Sequence, residues 1–60
     1  MNEKQREFYG KTAYEAYCGA RNWLGFAGQP LPQWTEVKDE IKHGWREAAI
    51  AVLSSLPSKN

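Results

Sequence analysis

The sequence of 60 residues predicts an all-α fold in which two helices form an antiparallel hairpin. Apolar residues recur at helical spacing in both halves of the chain, and a stretch rich in proline and glycine separates the two halves. No segment alternates apolar and polar residues as a strand does. We therefore expect a single small helical domain over residues 1–60.

The first helix is predicted over about residues 3–24. Glu7 with Lys11, and Lys11 with Glu15, are opposite charges four positions apart and predict ion pairs on its outer side. Gly10 and Gly19 each lower helix propensity by about 1 kcal/mol, so one or both predict a close approach of another backbone. The expected apolar face consists of Tyr9, Ala13, Ala16, Tyr17, Ala20 and Leu24.

A structured elbow is predicted over residues 25–34. Gly25 is expected to form a left-handed cap on the first helix, and the prolines that follow exclude both a helix interior and a central strand. The surrounding stretch "WLGFAGQPLPQW" carries no charge, which indicates a loop that buries its own side chains. The residues expected to hold the elbow against the helices are Trp23, Phe26, Leu31 and Trp34.

The second helix is predicted over about residues 35–56, with Thr35 as its cap and Pro57 as its stop. Residues 58–60 are expected to fray. Its expected apolar face consists of Val37, Ile41, Trp45, Ala48, Ala49, Val52, Leu53 and Leu56.

A chain this short buries only about 60% of the surface of its unfolded state, so its core needs a supplement. Cys18 is the only cysteine, which excludes an intramolecular disulfide, and one cysteine with one histidine falls short of a structural zinc set. We expect no metal and no cofactor. Self-association remains, and a homodimer that forms a four-helix arrangement is the expected oligomer.

Charge and hydropathy argue against two classes of protein, general nucleic-acid binders and membrane or secreted proteins. The formal net charge of +1 is far from that of a general nucleic-acid binder. The first residues are charged and lack the apolar run of a signal peptide or membrane span, which predicts a cytosolic protein without a membrane partner.

The segment "AYCGARNWLGFAGQPLPQWTEVKDEIKHGWREAA" resembles small uncharacterised proteins of tailed bacteriophages and prophages. The shared pattern is a tyrosine-rich helix, a loop of the form Gly-x-Pro-Leu-Pro-x-Trp, and a helix with a tryptophan followed by small residues. The resemblance covers about residues 13–52. The matching positions are Tyr14, Tyr17, Gly28, Pro30, Leu31, Pro32, Trp34, Val37, Ile41, Trp45, Ala48 and Ala49.

The resemblance implies a viral protein of the host cytoplasm that acts by binding. Such proteins inhibit host defence or host enzymes, or sequester signalling nucleotides, and the resemblance supplies no catalytic residues. It also implies a short turn from Trp34 to Val37 before the main helix, because the position of Lys38 is often proline in these proteins. Here that proline is absent, so the break near Val37 stays open.

Cys18 and His43 are the residue types of a nucleophile and its base. No third orienting group stands at a recognisable spacing, and a buried cysteine commonly behaves as a small apolar residue. We interpret Cys18 as a small, half-buried apolar residue and His43 as solvated, and we expect no enzymatic activity.

A basic rail is predicted on the second helix, where Lys38, Lys42 and Arg46 recur every four residues beside His43. Such a row can hold phosphates. The alternative is a solvated face that neighbouring carboxylates partly neutralise.

The aromatic residues divide into two groups. Trp45, Tyr17 and Trp34 are predicted to be core, whereas Tyr14 and Trp23 lie off the expected apolar face of the first helix. With Arg21 nearby, these two can stack on a base or anchor a protein partner.

The leading hypothesis is a phage-type accessory protein that binds a host protein or a signalling nucleotide stoichiometrically. The alternatives are a small nucleic-acid-binding regulator and a structural or assembly protein of a phage complex. The residues predicted to bind the ligand or partner are Tyr14, Arg21, Trp23, Lys42, His43 and Arg46.

Overall fold

Two α-helices dominate the fold in the computed structural model, which describes residues 1–57. Helix α1 spans Glu3–Ala20 and helix α2 spans Asp39–Ser55. A 3-10 turn at Trp34–Glu36 lies between them. The two helices contact one another and no strand element is present among residues 1–57, so the predicted all-α hairpin is confirmed. The fraying expected for residues 58–60 falls outside the described residues.

Helix α1 begins with a capping box and ends four residues earlier than the sequence predicts. The Asn2 side chain accepts a hydrogen bond from the Gln5 amide at 2.8 Å, and the Gln5 side chain accepts one from the Asn2 amide at 3.1 Å. At the other end Asn22 and Trp23 adopt left-handed backbone angles, with φ of 56° and 59°. The left-handed turn therefore lies at these two residues, and its prediction at Gly25 is wrong.

Helix α2 begins after a distinct break. Val37 and Lys38 are extended, and Asp39 is the first helical residue. The φ of Lys38, −64°, is the angle that proline prefers, so lysine fills a position with proline-like geometry. The break near Val37 that the resemblance implies is therefore present. Thr35 lies inside the 3-10 turn and does not cap α2, contrary to the prediction.

The buried core is small and lies where α1 meets the elbow. Its buried members are Tyr14, Cys18, Trp34 and Val37, against which Trp23, Leu31 and Trp45 pack while partly exposed. The elbow thus contributes core side chains, as predicted for three of its four holding residues. Phe26 is the exception, because its side chain is 93% exposed.

The buried face of α1 is displaced from the predicted one. Gly10, Tyr14 and Cys18, spaced four residues apart, are its buried residues. The placement of Tyr14 off the apolar face is therefore wrong, as is the prediction of Tyr17 as core, since Tyr17 is 40% exposed. The elbow covers the side of α1 that carries Tyr14 and Cys18, and this contact decides which face is buried.

Helix α2 has no fully buried residue. Trp45, Ala49 and Leu53 are half-buried, but Ile41 is 48% exposed and Val52 61% exposed. Only one edge of the predicted apolar face of α2 is covered within the hairpin.

Gly10 marks the closest approach of the two helices. A β-carbon placed there would lie 2.7 Å from Cγ of Arg46 and 3.2 Å from its backbone nitrogen. The predicted close approach is confirmed at this glycine. A β-carbon at Gly19 would have no neighbour within 4 Å, so the same prediction does not hold there.

Candidate binding surfaces

The tip of the hairpin carries an exposed aromatic residue beside an arginine. The guanidinium carbon of Arg21 lies 4.4 Å from the ring centroid of Phe26. The Arg21 Nε donates a hydrogen bond to the carbonyl of Leu24 at 3.2 Å, which fixes the arginine beside the ring. We refer to Arg21, Leu24 and Phe26 as the tip patch.

Backbone hydrogen bonds order the turn that carries Phe26. The Gly25 amide donates to the Gln29 carbonyl at 2.7 Å, and the Leu31 amide donates to the Trp23 carbonyl at 2.8 Å. Leu24 and Pro30 form a bridge between the two sides of the turn. The exposed ring of Phe26 is therefore held by an ordered loop.

The positive charge of Arg21 has no acidic partner among residues 1–57. The two ion pairs found there join Arg6 to Glu47 and Arg46 to Glu7. The ring of Tyr17 also lies beneath the guanidinium, at 5.9 Å. Arg21 thus presents a cation between apolar surfaces at the tip, where a carboxylate of a partner can reach it.

The predicted basic rail is divided by other contacts. The Arg46 Nε donates to the Glu7 carboxylate at 3.0 Å, and the Lys42 ammonium lies 5.5 Å from the ring centroid of Trp34. Lys38 is exposed. The three cations are therefore not a free row that faces solvent.

Glu7 holds this arrangement together. The Trp34 indole N–H donates a hydrogen bond to the Glu7 carboxylate, and this bond is the main cause that lowers the Glu7 pKa. The hydrogen bond and charge of Arg46 and the charge of Lys42 lower the pKa further, whereas burial opposes the shift. The predicted pairs of Glu7 with Lys11 and of Lys11 with Glu15 are not formed among the described residues.

Tyr14 is a structural residue at the centre of the core. Its hydroxyl donates to the Pro32 carbonyl at 2.7 Å, and only 5% of the residue is exposed. Burial, followed by the effect of Cys18, raises the Tyr14 pKa to about 12. Its ring meets those of Trp23 and Trp45 edge-on, at 6.3 and 5.5 Å. Little of Tyr14 is therefore exposed, although it lines a cavity with Leu31, Pro32 and Ile41. The partly buried Trp23 packs against the same cluster.

Cys18 and His43 lie in different environments. Cys18 is fully buried in the core, whereas His43 is exposed on α2. Cys18 is therefore more deeply buried than the half-buried position predicted for it, whereas the predicted exposure of His43 is confirmed. Within residues 1–57 no three side chains of His, Cys, Asp or Glu are grouped as metal ligands.

The structure brings together a different set of residues from the predicted one. Of the six predicted binding residues only Arg21 belongs to the tip patch, where Phe26 and Leu24 join it. Sequence reasoning missed Phe26 because a phenylalanine in an uncharged loop resembles a core residue. The signal that could have placed Phe26 at the surface is its position between two glycines, Gly25 and Gly28. In the structure the Gly28 amide donates to the Gly25 carbonyl and closes the turn.

Comparison with known proteins adds no relative. No family model matches the chain, and no curated protein or solved structure is significantly similar to it. In the described part of the chain neither helix is long and apolar enough to cross a membrane.

Proposed function

We propose that the protein acts by stoichiometric binding to another protein, which it engages through the tip patch. The observation that carries this proposal is the exposure of Phe26, at 93%, on a loop ordered by backbone hydrogen bonds. A large apolar side chain fully exposed to water gains about 1.5–3 kcal/mol when a partner buries it.

The chemistry of the patch indicates the kind of partner. Aromatic residues and arginine supply much of the binding energy at protein interfaces, and a preordered loop loses little conformational entropy on binding. Phe26 fits an apolar pocket, and Arg21 fits a carboxylate at the rim of that pocket. The partner is therefore a protein whose pocket is apolar inside and acidic at its edge.

The contacts of the basic rail favour a protein partner over a signalling nucleotide. A phosphate at Arg46 would compete with Glu7 for the guanidinium, and a phosphate at Lys42 would draw the ammonium from the Trp34 ring. The same contacts, with the net charge of +1, give little support to a nucleic-acid-binding regulator.

The biological setting rests on the sequence resemblance. It supports a phage accessory protein of the bacterial host cytoplasm that inhibits a defence protein or a host enzyme. In an assembly role within a phage complex, the same patch would engage a protein encoded by the virus.

Affinity capture with matched variants tests the tip patch. Tagged wild-type protein, Phe26→Ala and Phe8→Ala are used as bait in bacterial lysate, with and without phage infection. Phe8 is an exposed phenylalanine on α1, outside the tip patch, and serves as the control. We expect the wild type and Phe8→Ala to retain the same protein and Phe26→Ala to retain at least tenfold less. Equal retention by all three baits would contradict the proposal.

A further inference from the structure

One side of the hairpin is a continuous apolar surface without a covering layer. Helix α1 contributes one row of residues to it, and α2 contributes a second row beside the first. We call this surface the open face, and its residues are Tyr9, Ala13, Ala16 and Tyr17 of α1 with Ile41, Trp45, Ala48 and Val52 of α2.

Observed contacts place the two rows side by side. Tyr9 and Ala13 line a shallow groove together with Val52. Further along the hairpin the rings of Tyr17 and Trp45 lie 5.2 Å apart. The elbow packs against Tyr14 and Cys18, which lie on another side of α1. One edge of the open face reaches the elbow, because Trp45 packs against the buried core and Ile41 lines a cavity with Leu31 and Pro32.

The open face consists of the residues that the helical periodicity marks as apolar. An amphipathic helix directs such a stripe at a packing partner. Ala16 and Ala48 are nonetheless exposed, as are Ile41 and Val52. Both stripes thus point toward a layer that one hairpin does not contain.

We propose that a second copy of this chain covers the open face, so that two hairpins form a four-helix bundle. No member of the face is charged, so two identical surfaces meet without repulsion of like charges. A different protein partner would more often be selected by complementary charges, which this surface does not offer.

Two shallow grooves open on this face. One is lined by Ile41, Gly44, Trp45 and Ala48, and the other includes Tyr9, Ala13 and Val52. In a two-fold dimer each groove is available to an apolar side chain of the other copy.

The required area is available. The chain exposes 4742 Å² in total. A stable interface buries about 800 Å² per partner, roughly one sixth of that surface, which one face of a flat hairpin measuring 44 × 21 × 13 Å can supply. Among residues 1–57 only four apolar residues are buried, so a second layer would stabilise the hairpin by burying more apolar surface.

The oligomeric state of matched variants tests the proposal. Sedimentation equilibrium at about 100 µM measures the mass of the wild type against the chain mass of 6.9 kDa. Ala48→Lys and Ala16→Lys each place a charge on the open face, one on each helix. His43→Lys introduces the same side chain at an exposed position on the other side of α2 and serves as the control. Circular dichroism reports the helix content of every variant.

We expect the wild type and His43→Lys to have twice the chain mass, and both open-face variants to dissociate with a dissociation constant at least tenfold higher. Ala16 is exposed and lysine is a good helix former, so the Ala16→Lys hairpin should keep its helices. A monomeric wild type, or a dimer retained by either open-face variant, would overturn the proposal. Phe26 lies outside the open face, so Phe26→Ala should remain dimeric, and failure of the tip patch is distinguishable from failure of the dimer.

Discussion

The indole N–H of Trp34 donates a hydrogen bond to the carboxylate of Glu7, 27 positions earlier in the chain. The other oxygen of that carboxylate accepts a hydrogen bond from Arg46 at 3.0 Å. One side chain thereby connects α1, the elbow and α2. Because Trp34 is buried, this contact fixes the elbow against the side of α1 that carries Glu7 and Tyr14.

Acid should weaken the hairpin through Glu7. The folded state holds the Glu7 pKa below its ordinary value of 4.5 because the carboxylate accepts hydrogen bonds from Trp34 and Arg46. A carboxyl group whose pKa is lowered on folding stabilises the protein above the unfolded value, and this stabilisation is lost as the pH falls through the folded value. We expect the free energy of unfolding, measured with urea, to fall below about pH 4.5. Glu7→Gln should reduce that fall.

Some acid dependence should remain in Glu7→Gln. The Arg6 guanidinium also lowers the pKa of the exposed Glu47 carboxyl. An unchanged pH dependence in Glu7→Gln would show that the Glu7 contacts do not stabilise the fold.

Two glycine substitutions in α1 should have opposite effects. Alanine at position 10 would place its β-carbon against Cγ and the backbone of Arg46, at 2.7 and 3.2 Å, so Gly10→Ala should destabilise the hairpin by about 1–2 kcal/mol despite better helix propensity. Alanine at position 19 meets nothing within 4 Å, so Gly19→Ala should stabilise it by about 0.5 kcal/mol. Thermal and chemical unfolding of the two variants measure the difference. Stabilisation by Gly10→Ala would mean that the helices lie further apart.

Removing the Tyr14 hydroxyl should cost about 1 kcal/mol, because the Pro32 carbonyl loses the donor that lies 2.7 Å away. Burial, with a further contribution from Cys18, raises the Tyr14 pKa from 10 to about 12. A raised pKa means that stability is complete below about pH 10 and is lost as the pH rises through the folded value. We expect wild-type unfolding free energy to fall between about pH 10 and 12, and Tyr14→Phe to fall less. Equal alkaline profiles for wild type and Tyr14→Phe would contradict the assignment.

The end of α1 should be sensitive to the residue at position 22. Asn22 has a φ of 56°, which glycine adopts readily and a β-branched residue does not. Asn22→Val should therefore destabilise the hairpin by about 1–2 kcal/mol, whereas Asn22→Gly should change stability by only a few tenths of a kcal/mol. Urea unfolding of both variants gives the comparison, and a tolerated valine would place the left-handed turn elsewhere.

Local sequence signals predicted the elements of the fold well. Apolar spacing gave both helices, and the two prolines gave the elbow, because these signals depend on residues close in the chain. The predicted end of α1 lies too far along the chain, because Gly25 was predicted to be the left-handed cap. The residues with left-handed backbone angles are Asn22 and Trp23.

Long-range contacts decided the features that could not be predicted. Apolar spacing placed Tyr17 on the buried face of α1 and Tyr14 off it, but Trp34 and Val37 pack against Tyr14 and bury it instead. Glu7 has Lys11 four residues away, yet its observed partners are Trp34 and Arg46 from distant segments. The tip patch was missed for the same reason, since Arg21 and Phe26 meet only after the turn folds.

Native mass spectrometry of the wild-type protein, mixed at micromolar concentration with lysate of phage-infected bacteria, tests stoichiometric protein binding most directly. We predict a complex that contains one other protein in a whole-number ratio to this chain, and the loss of that complex in Phe26→Ala. A gain of only a few hundred daltons, equal in wild type and Phe26→Ala, would instead identify a small ligand and contradict binding of a protein at the tip patch.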